Sequence, residues 1–110
     1  MSDPEKSLAE RLEIAETQAA YKESESRKAK TAFLLAQAKE RLKLKAIHEA
    51  NGEKWSAGDR EAELTIIQCD PDTDLGKAWM ARNDAESEET RAKLDVRALS
   101  RAHWDEVKGR

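Results

Sequence analysis

The fold of this chain depends on residues 51–74, which read NGEKWSAGDREAELTIIQCDPDTD. Asn51 and Gly52 are residue types that tolerate the left-handed backbone found where helices end. Ser56 and Asp59 have the spacing of a capping box, in which a serine and an acid three residues later begin a helix. Strong helix formers dominate the long stretches on both sides. We therefore expect the tip of a helical hairpin here, with a short helix inside it.

Two long helices are predicted on either side of this tip. No glycine or proline follows Pro4 until the tip, and Ser2 or Asp3 before Pro4 is typical of a first helical turn. The predicted fold class is all-α, a long antiparallel, coiled-coil-like helical hairpin that self-associates into a helical bundle. As a single domain over residues 1–110, it has a first helix at 4–50, a tip at 51–73 and a last helix at 74–107.

Composition favours elongated helices over a compact globule. Charged residues make up 39% and aromatic residues only 5% of the 110 residues, so a large aromatic core is not expected. The apolar residues nevertheless recur at helical spacing, unlike those of a disordered chain. No signal peptide and no apolar run of about 20 residues is present, and the single Cys69 cannot form an internal disulfide. These observations predict no membrane association and a cytoplasmic location.

The last predicted helix carries a heptad pattern, which is typical of coiled coils. Its two seam positions are occupied by Ala78, Ala85, Ala92 and Leu99, and by Leu75, Arg82, Glu89, Val96 and His103. Between Arg82 and Lys93 the seam offers only alanines as apolar residues. A partner helix is therefore expected to meet little apolar surface in this part of the seam.

The first predicted helix has two apolar faces. One face carries Leu8, Leu12, Ala15, Ala19, Ala29, Phe33, Ala36, Leu44 and Ile47, and the other carries Leu35, Ala38, Leu42 and Ala46. At 100° per residue, Phe33 and Leu35 point about 200° apart. If Ile47 pairs with Leu75, an antiparallel register places residues 33–35 opposite residues 84–89, which include no large apolar residue. Self-association is the predicted consequence, through Phe33, Leu34, Leu35, Leu42, Leu44 and Ile47.

Basic residues cluster in two places along the chain. Residues 27–45 contain seven basic side chains and one acid, and residues 91–110 contain six basic side chains and three acids. Antiparallel pairing is expected to bring parts of both clusters together as a basic belt of Arg27, Lys28, Lys30, Arg91, Lys93 and Arg97. Such a belt is either a solvated, salt-bridged face or a sequence-independent contact for nucleic-acid phosphates. The tip is acidic, which disfavours wrapping of the whole chain by DNA.

No motif in the sequence supports catalysis or a resident metal. Asp70, Asp72 and Asp74 are spaced as in a calcium-binding loop, but Leu75 and Ala81 replace the glycine and the glutamate that such a loop requires. Helix capping explains the three acids. The two histidines and the cysteine lack metal-ligand spacing, and no glycine-rich phosphate loop is present. We predict no enzyme activity, no cofactor and no small-molecule substrate.

The three tryptophans have two interpretations. Trp79 and Trp104 flank the heptad seam, and Trp55 precedes the predicted short helix. They either widen the buried strip and staple the start of the short helix, or they anchor a protein partner, since tryptophan is enriched at binding hot spots.

Several short motifs resemble those of a group of small, uncharacterised phage and prophage proteins. Within residues 29–104 they are Ala50-Asn51-Gly52, Arg60-Glu61-Ala62-Glu63-Leu64, Cys69-Asp70-Pro71, Ala92-x-Leu94 and Leu99-Ser100-Arg101-Ala102. Gly76 and the region of Trp79 depart from the pattern of that group. The resemblance implies a long helix, a short helix and a long helix, no catalytic residue, and a gene among those of phage DNA replication and recombination.

These expectations together favour a non-enzymatic phage accessory protein that acts by binding, in the cytoplasm of a bacterial host. The leading hypothesis is an oligomeric helper in phage DNA replication or recombination, which contacts DNA or a recombination protein. Two alternatives are a phage protein that binds and inhibits or redirects a host protein, as anti-defence proteins do, and a structural component of the virion.

Overall fold

The computed structural model describes residues 7–52, 54 and 56–109. It contains three helices, α1 (Leu8–Ala50), α2 (Ala57–Cys69) and α3 (Asp74–Lys108), and these residues include no strand. The long helices α1 and α3 pack against each other in antiparallel orientation, so the predicted all-α helical hairpin with a short helix at its tip is confirmed. The predicted first-turn residues Ser2 to Pro4 lie outside the described residues, as does Trp55.

Both ends of α1 and the start of α2 have an identifiable local cause. The Ser7 hydroxyl accepts a hydrogen bond from the backbone N–H of Glu10 at 3.2 Å, just before the first residue of α1. At the other end of α1, Gly52 has a φ of 67°, the left-handed conformation that its position after the helix predicts. The predicted serine N-cap of α2 is confirmed, because the Ser56 hydroxyl accepts a hydrogen bond from the N–H of Asp59 at 3.1 Å.

The helices form two compact units. The terminal unit comprises residues 1–26 and 85–110, and contains the first part of α1 and the last part of α3. The central unit comprises residues 27–84, and contains α2 together with the remaining parts of the two long helices. α1 and α3 therefore each contribute to both units.

In the terminal unit the two long helices meet along a heptad seam. The seam positions that are partly or fully buried include Leu8, Leu12, Ala15, Ala19, Lys22 and Ser26 on α1, and Ala85, Glu89, Ala92, Val96, Leu99 and His103 on α3. The seam on α3 follows the predicted pattern. On α1 the seam continues through Lys22 and Ser26, which hydrophobicity alone would assign to the surface. Ser26 is completely buried, and its hydroxyl has no hydrogen-bond partner within the described part of the chain.

The core of the central unit brings all three helices together. Phe33 of α1, Leu64 of α2 and Leu75 of α3 are buried in one cluster, against which Trp79 also packs. The guanidinium of Arg82 lies 5.0 Å from the centre of the Phe33 ring, a cation–π distance. Phe33 therefore has large partners from its own chain, and the predicted register, with residues 33–35 opposite 84–89, was wrong at this position. The pattern of α3 alone could not reveal that α2 supplies Leu64 to this cluster.

The turn between α2 and α3 is closely packed. The Thr73 hydroxyl lies 2.8 Å from the carbonyl oxygens of both Ile67 and Asp70, and it accepts a hydrogen bond from the Gly76 N–H at 2.9 Å. The Asp70 carboxylate accepts a hydrogen bond from the N–H of Asp72 at 3.0 Å, and Asp70 is the C-cap residue of α2. Among the acids predicted to cap the last helix, Asp74 lies in its first turn, but the capping side chain is that of Thr73.

Candidate interaction surface

The side of α1 that faces away from the core of the central unit is apolar. Leu34, Leu35 and Leu42 are 63%, 57% and 69% exposed, and Ala38 between them is exposed as well. We refer to these four residues as the outer face of α1. Their spacing of three, four and seven residues places most of them along one stripe of the helix. The second apolar face expected from the sequence, Leu35, Ala38, Leu42 and Ala46, is therefore uncovered.

Of the six residues predicted to mediate self-association, four are accessible and two are not. Leu34, Leu35 and Leu42 belong to the outer face of α1, and Ile47 is also exposed. Phe33 and Leu44 are buried within the central unit. The two buried residues stabilise the fold, so a partner that covers α1 would contact the other four.

The outer face is surrounded by positive charge. The acid Glu40 in this part of α1 is half-buried. All seven basic residues here are exposed, namely Arg27, Lys28, Lys30, Lys39, Arg41, Lys43 and Lys45. An exposed apolar stripe bordered by cations resembles the apolar centre and polar rim of a protein interface. This part of α1 is therefore suited to a partner that offers both apolar and acidic groups.

The predicted basic belt is distributed over both units. Arg27, Lys28 and Lys30 belong to the central unit, whereas Arg91, Lys93 and Arg97 belong to the terminal unit. Within the terminal unit, Lys93 pairs with Glu89 at 2.8 Å, one helical turn away. Arg91 lines a groove of about 670 Å³, which also includes Tyr21 of α1. The six residues thus do not form one belt inside either unit.

A smaller groove lies between α1 and α2, at the edge of the outer face. It encloses about 290 Å³ and is lined by Arg41, Leu42, Leu44, Lys45, Ala57, Arg60 and Glu61. We call it the basic groove, because three of these side chains are cationic and one is a carboxylate. Leu42 belongs to both the groove and the outer face, which makes the two surfaces continuous. The groove had no signal in the sequence, since its residues from α2 become neighbours of α1 only after the tip has turned.

Polar contacts fix the two walls of the basic groove relative to each other. His48 Nε2 of α1 lies 2.9 Å from Glu63 Oε2 of α2, in a partly buried position. Gln37 donates to the side-chain oxygen of Gln68 at 3.3 Å, and Arg41 reaches Glu61 at 3.4 Å. Together with the buried Leu64, these contacts hold α2 against α1 along most of its length.

In the terminal unit, an ion pair between Lys22 and Glu88 joins the two long helices. Lys22 Nζ donates to Glu88 Oε2 at 2.9 Å. This hydrogen bond, followed by the charge attraction between the two groups, raises the pKa of Lys22 above 10.5 and lowers the pKa of Glu88 below 4.5. Both side chains are accessible to water, so the pair contributes mainly to the register of the two helices.

The remaining predicted site residues, the tryptophans, differ in their exposure. Trp79 packs against the core of the central unit, and Trp104 is largely exposed. Within the described residues, no group of three or more histidine, cysteine or acidic side chains is arranged to hold a metal ion. Cys69 is exposed at the end of α2. Of the tryptophans that the structure describes, Trp104 is therefore the accessible one.

Comparisons with protein-family models, curated proteins and solved structures found no match to this chain. Within the described residues, no helix is both long enough and apolar enough to span a membrane.

Proposed function

We propose that this protein is a binding protein, an accessory factor that docks onto a protein partner through the outer face of α1. The observation that supports this proposal most strongly is the exposure of Leu34, Leu35 and Leu42 on a helix whose opposite side is already packed. Covering one leucine side chain is worth about 1.5–3 kcal/mol. A partner that covers the stripe therefore gains a large part of its affinity there.

The charge around the stripe defines the partner further. Residues 27–45 of α1 carry seven basic side chains and one acid, so the partner surface is acidic around an apolar centre. Complementary charge also accelerates association and disfavours wrong partners. A helix with an apolar stripe and acidic flanks satisfies both requirements, in the mode by which amphipathic helices bind complementary surfaces.

Nucleic acid is the second candidate partner. It is favoured by the exposure of all seven basic side chains on this part of α1, and by the setting of phage DNA replication or recombination that the sequence resemblance implies. Phosphates satisfy the cations but leave the leucines of the outer face uncovered, so a protein partner accounts for more of the surface. The host-protein-binding alternative uses the same face, whereas a virion component would meet copies of itself or of another structural protein.

One substitution at the centre of the outer face tests the proposal. Leu35→Gln removes apolar surface from an exposed position and should weaken partner binding without unfolding the helix. Leu94→Gln is the matched control, because Leu94 is a leucine of α3 with a similar exposure of 54%. Tagged wild-type and variant proteins are used to capture partners from bacterial lysate, and each captured protein is then purified and titrated directly.

We expect a partner that Leu35→Gln loses and Leu94→Gln retains. Equal binding by all three proteins would contradict the assignment of the outer face. The nucleic-acid candidate predicts instead that labelled duplex DNA binds at about 50 mM salt, with a logarithmic salt slope of about −0.9 for each phosphate contact. In that case Lys39→Glu should weaken binding and Leu35→Gln should not.

A further inference from the structure

We propose that the basic groove is the anchor site for the partner, and that it receives one large apolar side chain flanked by carboxylates from an acidic segment of that protein. The proposal depends on the proposed function and adds the chemistry of the partner to it. It assigns a role to residues of α2 for which the sequence predicted no function, Ala57, Arg60 and Glu61.

The size and lining of the groove suit a side-chain anchor. Its volume of about 290 Å³ lies at the lower limit of small-molecule sites, which span about 300–1,000 Å³. Its lining includes the buried Leu44 and the exposed Leu42 from α1, and Ala57 from α2. An inserted leucine, methionine or phenylalanine would meet apolar groups from both helices. Hot spots of protein interfaces occupy pockets of this kind.

The charges at the groove favour carboxylates beside that anchor. Arg41, Lys45 and Arg60 line it with a single acid, Glu61. Arg41 reaches Glu61 only at 3.4 Å, and both side chains are more than half exposed, so this pair contributes little energy. The lining therefore keeps an excess of positive charge. Carboxylates of a partner can form charge-assisted hydrogen bonds with it, which are stronger than neutral ones.

The groove is also largely formed before any partner arrives. Its two walls belong to helices that are joined by the contact between His48 and Glu63 and by the shared core around Leu64. A preformed site loses less conformational entropy when it binds. Because Leu42 connects the groove to the outer face, a single amphipathic helix can place its anchor in the groove and the rest of its stripe on α1.

Selection from a random peptide library tests this assignment while the partner is still unidentified. Peptides of about 12 residues are selected on the full-length protein and then synthesised with a fluorescent label. We expect enriched sequences to carry a large apolar residue with aspartate or glutamate within one helical turn on either side. Replacing those acids with their amides should weaken binding roughly tenfold, the loss expected when a charge-assisted contact is removed.

Two charge reversals on the protein separate the groove from the general positive charge of α1. Lys45→Glu alters the groove, whereas Lys39→Glu makes the same change of charge at an exposed position that does not line it. We expect Lys45→Glu to weaken binding of the selected peptides roughly tenfold and Lys39→Glu to weaken it by less than about threefold. Lys45→Arg should retain affinity, and circular dichroism of all three variants should match that of the wild-type protein.

Several results would overturn the assignment. Equal losses with Lys45→Glu and Lys39→Glu would mean that only the overall charge matters. Loss with Leu35→Gln but not with Lys45→Glu would leave the outer face as the binding surface and exclude the groove as its anchor. Selected peptides without acids, no enrichment at all, or complete displacement of the peptides by duplex DNA at physiological salt would each reject an acidic protein segment as the occupant.

Discussion

At the scale of single residues, Gly76 is packed directly against the turn between α2 and α3. A Cβ atom added there would clash with the carbonyl group of Asp70, which belongs to the backbone of the turn between α2 and α3. The turn is fixed by the Thr73 hydroxyl, so it cannot move aside freely. We expect Gly76→Ala to lower the free energy of unfolding by about 1–3 kcal/mol, the usual cost of overpacking, as measured by urea denaturation.

Gly58 provides the matched control for this substitution. It is also a helical glycine, but an added Cβ would meet only the Ser56 hydroxyl oxygen, at 3.9 Å. Replacing glycine with alanine where the backbone conformation permits it stabilises a protein by about 0.4–1 kcal/mol, so Gly58→Ala, in the first turn of α2, should have a stabilising effect in this range. A stabilising effect of both substitutions would show that the turn accommodates a side chain at Gly76.

At the scale of the helices, the sequence predicted much of the fold and less of its internal register. The heptad of α3, the caps at Gly52 and Ser56, and the two apolar faces of α1 all follow from local residue types, and the structure contains them. The partners of Phe33 do not follow from local sequence, because Leu64 reaches it only through tertiary packing. The burial of Ser26 is likewise opposed to its polarity.

One part of the candidate site, the outer face of α1, could be predicted from local sequence, and the other part, the basic groove, could not. Exposed leucines on the second face of α1 could be predicted from helical periodicity, since that face has no second helix of its own chain to cover it. The basic groove could not be predicted in this way, because its formation depends on the angle at which α2 packs against α1. Arg60 and Glu61 are ordinary surface residues of a short helix until Arg41 and Lys45 become their neighbours.

The pairing of α1 with α3 in the terminal unit predicts a dependence on pH. Lys22 lowers the pKa of Glu88 below its ordinary value of 4.5. A carboxyl whose pKa is lower in the folded state stabilises the fold above its unfolded pKa, and this contribution is lost as the pH falls through the folded pKa. Glu88→Gln should therefore lower the melting temperature at about pH 6, and the difference from the wild-type protein should shrink as the pH falls through the lowered pKa of Glu88.

The alkaline side of the same pair has the opposite sign. The pKa of Lys22 is raised above 10.5, so its contribution is present below the unfolded pKa and is lost as the pH rises through the folded pKa.

Glu16→Gln is the control for Glu88→Gln, because it makes the same change of charge at an exposed position of α1. If both variants shift the melting temperature equally at every pH, net charge rather than the contact with Lys22 is responsible.

At the scale of the whole molecule, the outer face predicts that the protein self-associates, in a salt-dependent way, when the proposed partner is absent. Two copies that bury their leucines against each other would also bring two sets of basic side chains together. Salt reduces this repulsion, since the Debye length falls from about 10 Å at 0.1 M to about 3 Å at 1 M. We expect light scattering at micromolar concentration to show particles larger than the 12.4 kDa chain, in a proportion that rises with salt and falls with Leu35→Gln.

The opposite salt dependence would point to another contact. Oligomers that dissociate as salt is added would be joined by attraction between acidic and basic segments of different copies. A particle of 12.4 kDa under all salt conditions would exclude self-association and leave the outer face to a partner of different sequence.

The heptad seam of the terminal unit has a consequence for how the length of this protein can change. Both helices repeat their inward positions every seven residues there, from Leu8 to Ser26 on α1 and from Ala85 to His103 on α3. Removing or adding seven residues in each helix, at positions opposite each other, restores the same contacts. The parts of α1 and α3 that form the terminal unit can thus change in length in steps of about 10 Å, the rise of seven helical residues. The central unit, with its groove and its glycine-dependent turn, offers no such step and has a fixed size.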